Sequence, residues 1–158
     1  MEDLDDCAAM WADPIVVHHI GGVPLSRESV WAKIHRHTGH WALLGFGCWV
    51  IEERATGRFV GEGGFADFRR EMTPSYEGTP EAGWVLASWA HGKGLATEAV
   101  LAMSAWGDRE LAVTPTVCII DTANVASIRV ATKCGYREVE RFSYKGGPMI
   151  LFRRERPQ

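Results

Sequence analysis

The stretch His91-Gly92-Lys93-Gly94-Leu95-Ala96-Thr97-Glu98-Ala99 decides how this chain is read. It joins a strand-like run, Gly83-Trp84-Val85-Leu86-Ala87, to a helix-like run from Leu95 to Trp106. Two glycines at such a junction allow a tight turn and let the backbone approach a ligand with no Cβ in between. A helix starting there aims its unpaired N–H groups and the positive end of its dipole back at the turn. That arrangement is a seat for phosphate. Lys93 adds a positive charge at the same place. Turns of this kind also serve purely steric ends, so the rest of the chain must decide between the two uses.

Upstream of the turn, a third strand is expected from Glu81 to Ala87, preceded by a polar loop from Arg69 to Pro80. Before it, Phe46 to Glu53 and Arg58 to Phe68 form a hairpin around Ala55-Thr56-Gly57, with Gly61, Gly63 and Gly64 marking a bulge or a close approach. The first part of the chain is helical. Leu4 to Trp11 is followed by a break at Asp13-Pro14 and a short segment ending at Gly21-Gly22. Ser26 then N-caps a helix through about Thr38, with Val30, Trp31 and Ile34 among its apolar positions.

Downstream, Leu95, Ala99, Ala102, Met103 and Trp106 follow helical spacing and form a buried stripe. Thr116 to Asp121 is a short apolar strand. Asn124 N-caps a helix from Val125 to about Cys134, with Gly135 just past its end. Strands from Tyr136 to Tyr144 and Met149 to Arg154 follow, joined by Lys145-Gly146-Gly147. This order gives an α+β fold, one domain over residues 1–158, with a mixed sheet covered by helices.

The composition fits an ordinary globular protein: 158 residues, 46% hydrophobic and 23% charged. A net charge of -3 lacks the basic surplus of a nucleic-acid binder. No apolar run is long enough to span a bilayer, and the acidic start Met1-Glu2-Asp3-Leu4-Asp5-Asp6 is unlike a signal peptide, so a cytoplasmic location is expected. Cys7, Cys48, Cys118 and Cys134 fall in separate segments with no C-x-x-C pair, against a zinc site or disulfide scaffold. Cys48 and Cys118 read as small buried hydrophobes. His35, His37 and His40 cluster, but residues two apart do not share a helix face, and no metal is expected there.

A second segment supports the phosphate reading. Asn124-Val125-Ala126-Ser127-Ile128-Arg129-Val130-Ala131-Thr132-Lys133-Cys134-Gly135-Tyr136 follows a strand and opens a helix. Together the two segments resemble the GNAT superfamily of acetyl-CoA-dependent N-acetyltransferases. They look most like the RimJ/RimL-type branch, where G-K-G-x-A-T-E-A is followed by N-x-x-S-x-x-V-x-x-K-x-G-[FY]. Asp13-Pro14, Ile20-Gly21-Gly22, Ala55-Thr56-Gly57 and Glu81-x-Gly83-Trp84 extend the resemblance over nearly the whole chain.

The resemblance implies acetyl transfer to a primary amine, on a protein N-terminus or a small molecule, by direct attack in a ternary complex. Acetyl-CoA would lie where the third strand splays from the strand at Thr116. Its diphosphate would rest on the amides of His91, Gly92, Lys93, Gly94, Leu95 and Ala96, and its pantetheine arm would pair with the backbone of Val85 and Leu86. A backbone N–H there could polarise the thioester carbonyl. Asn124 and Ser127 would contact the arm while also serving as N-cap and first-turn residue.

Glu81 is the first candidate for the general base, with Glu62 and Asp67 in reserve. Many relatives use a tyrosine to protonate the leaving thiolate, but Ala131 stands at that position, leaving Ser127 as the nearest substitute. Thr132 replaces a glutamate usual in the motif. The acceptor pocket should draw on Trp41, Phe46, Trp49, Phe65 and the loop from Arg69 to Pro80. Two other readings remain: detoxification of an amine-bearing antibiotic, and a non-catalytic acyl-CoA-binding or interaction protein. Finally, relatives begin with an edge strand for which this sequence offers no counterpart, so either the reading frame begins late or the sheet has lost an edge. Phe46 to Glu53 would then be an open apolar edge, and either a homodimer or the N-terminal helices would cover it, with the homodimer favoured.

Overall fold

The structure, a computed structural model, describes residues 3–157. Three helices come first: α1 (Leu4–Ala12), α2 (Pro14–Val17) and α3 (Arg27–Leu44). Asp13 starts α2 by accepting the Ile15 N–H at 2.9 Å, with Pro14 in the first turn where its missing N–H costs nothing. Ser26 caps α3 through the Ser29 N–H at 3.1 Å. This helix runs well past Thr38, through Gly39, and stops only at Gly45, which is left-handed at φ +74°. The polar run His37-Thr38-Gly39-His40 looks like a helix end in sequence. It continues because His37 and His40 are buried and find polar partners there.

Six strands form one sheet in the order β1-β2-β3-β4-β6-β5. They are β1 (Cys48–Glu52), β2 (Phe59–Ala66), β3 (Glu81–Leu86), β4 (Thr116–Asp121), β5 (Arg137–Tyr144) and β6 (Gly147–Arg154). All neighbours are antiparallel except β3 and β4, which run parallel and are in register only at Glu81↔Val117. Past that point the two strands part. Helices α4 (Leu95–Glu110) and α5 (Val125–Lys133) complete the fold. The sheet is mixed and mostly antiparallel with helices on both faces, as expected. Among the described residues no strand lies outside β1.

Strand alternation assigns the two faces. Phe65, Ala82 and Trp84 face α4 and α5, where they pack with Val100, Met103 and Ala131. Glu62, Glu81, Gly83 and Val85 face α1 and α3. On α4, Val100, Met103, Ser104 and Gly107 are buried, whereas Ala102 is exposed, contrary to its place in the expected stripe. Gly107 is on that stripe because Phe65 sits 3.0 Å from where its Cβ would be. The β1 edge is partly covered from within the chain. The Gly47 carbonyl accepts the Phe65 N–H, so Cys48 turns its carbonyl outward, and there it accepts the Trp41 indole N–H at 3.0 Å.

Candidate active site

The glycine turn, expected to seat a phosphate, is built from backbone. Gly92 and Gly94 are both left-handed, at φ +74° and +81°, with open space where a Cβ would be, so conformation rather than crowding demands glycine. The first helical bond of α4 runs from the Glu98 N–H to the Gly94 carbonyl, and no side chain caps the helix. The amides just before Glu98 therefore point out of the helix end without a helical partner. His91 departs from expectation. Its N–H is used by the Ser88 carbonyl at 3.1 Å, and its ring Nε2–H donates to the Leu86 carbonyl at 2.9 Å. It pins the turn to the end of β3 and offers the seat no amide.

Trp89, in a 3-10 turn over Ser88–Ala90, stacks beneath two cations. Lys93 lies 4.7 Å from its ring and Arg58, from the β1–β2 turn, lies 3.7 Å away. Arg58 is a second positive charge near the seat. Nothing in its local sequence marks it.

The gap between β3 and β4 opens toward the same end. Ala87 donates to the Val60 carbonyl and Val85 lies opposite Glu62. Antiparallel alternation then turns the N–H and C=O of Val85 toward β2, away from the gap. Val85, expected from the sequence to pair with the cofactor's arm, thus turns its backbone away from the gap. Trp84 and Leu86 face the gap instead, and the Leu86 carbonyl is already taken by His91. What remains open is the Trp84 backbone and the Leu86 N–H. Across the gap, α5 begins at Asn124, whose Oδ1 accepts the Ser127 N–H at 3.1 Å. The cap is real, and it leaves the Asn124 amide NH2 free. Ser127 is half-buried, and its hydroxyl bonds to no described residue.

None of the three candidate bases is a free carboxylate. Glu81 is buried, and both its oxygens accept from Arg70, Nε and Nη2 each at 2.8 Å. Glu62 is held by Lys33 at 2.5 Å, with His37 Nε2 at 3.6 Å. Burial alone would raise the Glu62 carboxyl, but His37 and Lys33 outweigh it and bring it down to about 2. Burial likewise lowers His37 below its usual value. Asp67 pairs with Arg69 Nε at 2.8 Å. Glu62, held this low, is a poor proton acceptor at neutral pH.

On the α3 face, Gly83 is exposed, with nothing within 4 Å of where its Cβ would stand. A cleft of about 780 Å³ lies between α3, the segment from Asp67 to Met72 and the β5–β6 hairpin. The loop part of the expected acceptor pocket is therefore present. Its aromatics are not: Trp41, Trp49 and Phe65 pack edge-on or stacked against one another and Trp106, and Phe46 joins the same core. Strand parity explains this, because Trp49 and Phe65 point to the face opposite Glu62. Phe68 and Tyr144 line the cleft instead.

The three histidines go separate ways: His35 to the Trp31 carbonyl, His37 to Lys33, His40 to the Asp67 carbonyl. Among the described residues no cluster could hold a metal ion. The cysteines are unpaired, and burial pushes the Cys7 and Cys48 thiols up to about 12, well away from reactive thiolates. No described helix is long and apolar enough to cross a membrane.

Residues 1–137 match the family model described as the acetyltransferase (GNAT) domain. The chain belongs to this family. It is 27% identical over 159 residues to the "uncharacterized protein YkkB" of Bacillus subtilis (strain 168), covering 98% of this chain and 89% of that one. A putative GnaT-family acetyltransferase from Bordetella pertussis superposes with a TM-score of 0.84 at 29% identity, covering 98% and 90% of the two chains. The aminoglycoside acetyltransferase AAC(6')-Ib, solved with coenzyme A, shares the fold at a TM-score of 0.80 and 18% identity, over 98% and 90%. As a GNAT acetyltransferase this protein is an acyltransferase.

Proposed function

We propose that this GNAT protein transfers acetyl from acetyl-CoA to a primary amine, on a small molecule or a peptide N-terminus, by direct attack in a ternary complex. One observation carries the reading. The parallel pair β3–β4 parts at its carboxyl end, where the Gly92–Gly94 turn and the uncapped start of α4 also lie. Ligands of sheets with parallel strands collect at such a switch point. Acetyl-CoA supplies an activated acyl group as a thioester. Amides of Gly92, Lys93, Gly94, Leu95 and Ala96, with the charges of Lys93 and Arg58, suit its diphosphate. The Leu86 N–H and Trp84 backbone suit its amide-bearing arm, and Asn124 Nδ2 reaches from the opposite wall. The motif spacing supports the RimJ/RimL-type branch.

An ammonium must lose its proton before it attacks. With Glu81, Glu62 and Asp67 all paired, the cleft itself does this work. Arg36 and Lys145, which no carboxylate of a described residue neutralises, disfavour a further positive charge near them, so the bound amine sheds its proton more readily. The buried Glu81 keeps Arg70 in place and is a positioning residue. The unengaged hydroxyl of Ser127 is the group that can hold a proton for the departing thiolate.

Acetyl-CoA turnover tests the reading directly. Free thiol should appear above the hydrolysis background with at least one class among peptides with free N-termini, amino acids, polyamines and aminoglycosides. Background release throughout, with CoA still bound, would instead mark a non-catalytic acyl-CoA-binding protein.

A further inference from the structure

The chain carries a net charge of -3, yet the cleft on the α3 face gathers Arg36, Arg69, Arg70 and Lys145 against only Asp67 and Glu71. Ion pairing accounts for part of this surplus. Arg70 is bound by Glu81, and Arg69 by Asp67 and Glu77. Arg36 and Lys145 have no carboxylate of a described residue within ion-pair distance. Opposite them stands one carboxylate, Glu71, that is likewise unpaired.

The two unpaired cations are held by aromatic rings. The Arg36 guanidinium lies 5.2 Å from the Phe68 ring, which also carries Arg70 at 4.6 Å. Lys145 sits 5.4 Å from the Tyr144 ring, and Arg70 the same distance from that ring. The Tyr144 hydroxyl in turn accepts from Arg70 Nη1 at 3.3 Å. The ladder Arg36–Phe68–Arg70–Tyr144–Lys145 thus fixes three cations along one wall and neutralises only the middle one. Rings satisfy the faces of these groups but not their N–H edges. A guanidinium's planar fork matches a carboxylate or phosphonate with two parallel hydrogen bonds.

We infer that the cleft selects an acceptor amine that carries its own acid group, a carboxylate or phosphonate on the same small molecule, seated on the unpaired Arg36 guanidinium. The inference rests on the acetyl-transfer reading and names its acceptor. A polycationic acceptor would instead bring several ammonium groups against two unpaired cations, which costs both affinity and encounter rate.

The test compares L-methionine, L-phenylalanine and L-glutamate with their carboxamides, and all of them with kanamycin. Initial rates with acetyl-CoA give kcat/KM, and calorimetry in the presence of CoA gives binding. Each acid should exceed its amide by about tenfold or more, through KM, as expected for a charge-assisted fork. Arg36→Gln should raise KM for the acids more than for the amides, bring the acid-to-amide ratio of kcat/KM down toward one, and melt like the wild type because Arg36 is exposed. Arg36→Lys should restore part of the preference. Equal values for acid and amide in both assays, or a preference for kanamycin, would overturn the inference. Preferential binding of the acids without transfer to any amine would uphold this seat and sink the transfer reading instead.

Discussion

The glycine turn and the charged cleft are built from opposite materials. The turn is contiguous in sequence, and its chemistry is that of main-chain amides held by two left-handed glycines. The cleft is assembled from α3, the segment after β2 and the β5–β6 hairpin, and its chemistry is all side chain. The first can be damaged at one point and lose one function. In the second, Arg70 answers at once to Glu81, Phe68 and Tyr144, so removing it disturbs stability and binding together.

Arg70 should show this most strongly. Arg70→Met would leave the Glu81 carboxylate buried without its partner, a loss of about 3 kcal/mol in unfolding free energy. It also removes the middle rung between Phe68 and Tyr144, so acceptor KM should rise in the same variant. Urea unfolding read beside acceptor kinetics checks both. An Arg70→Met protein that lost acceptor binding at full stability would break the contrast between the two regions.

Gly94→Glu is the matching test of the turn. A left-handed non-glycine residue costs about 1–2 kcal/mol, and the added carboxylate faces the diphosphate seat. CoA affinity by calorimetry should fall by about a hundredfold, or roughly 2.7 kcal/mol, while circular dichroism stays native-like. Unchanged CoA affinity in the folded variant would remove the phosphate seat from this turn.

A subtler effect separates the regions by pH. The Glu62 carboxyl lies at about 2 in the folded chain against an ordinary 4.5. Its contribution to stability is therefore full above pH 4.5 and is lost as pH falls from there toward 2. His37 is depressed below 6.5. Below that pH the unfolded chain takes up a proton that the folded chain resists, so acid destabilises through His37 as well. Unfolding at pH 7, 5 and 3 should show the gap between wild type and Glu62→Gln narrowing as pH drops. A constant gap would mean that the Lys33–Glu62–His37 group has no part in acid sensitivity.

How far the sequence could be read follows the same division. The turn, the Asn124 cap and the order of helices and strands were legible because glycine, asparagine and periodic apolar residues answer to local backbone demands. The direction of Val85 was not, because a one-residue parity against β2 decides it. The aromatics were misplaced for the same reason: Trp49 and Phe65 face the core, while Phe68, just past the end of β2, lines the cleft. The pairing of Glu81 with Arg70 spans a loop that carries no periodic signal. The extension of α3 depended on burial of His37 and His40, which polarity alone disguises. Arg58 was missed because only the folded turn brings it over Trp89.

The alternation along β3 reaches beyond its hydrogen bonds. Glu81 and Val85 show their side chains to the α3 face, while Trp84 and Leu86 give their backbone to the opening beside β4. On the proposed function, one short strand thus addresses two molecules through two independent sets of atoms. Substitutions at the odd positions, or in the cleft above them, reshape one address and leave the main-chain groups of the other untouched. A one-residue insertion would exchange the two sets and ruin both. On this scaffold the choice of what is modified can drift by point mutation, while the means of modifying it is protected by the geometry of the chain itself.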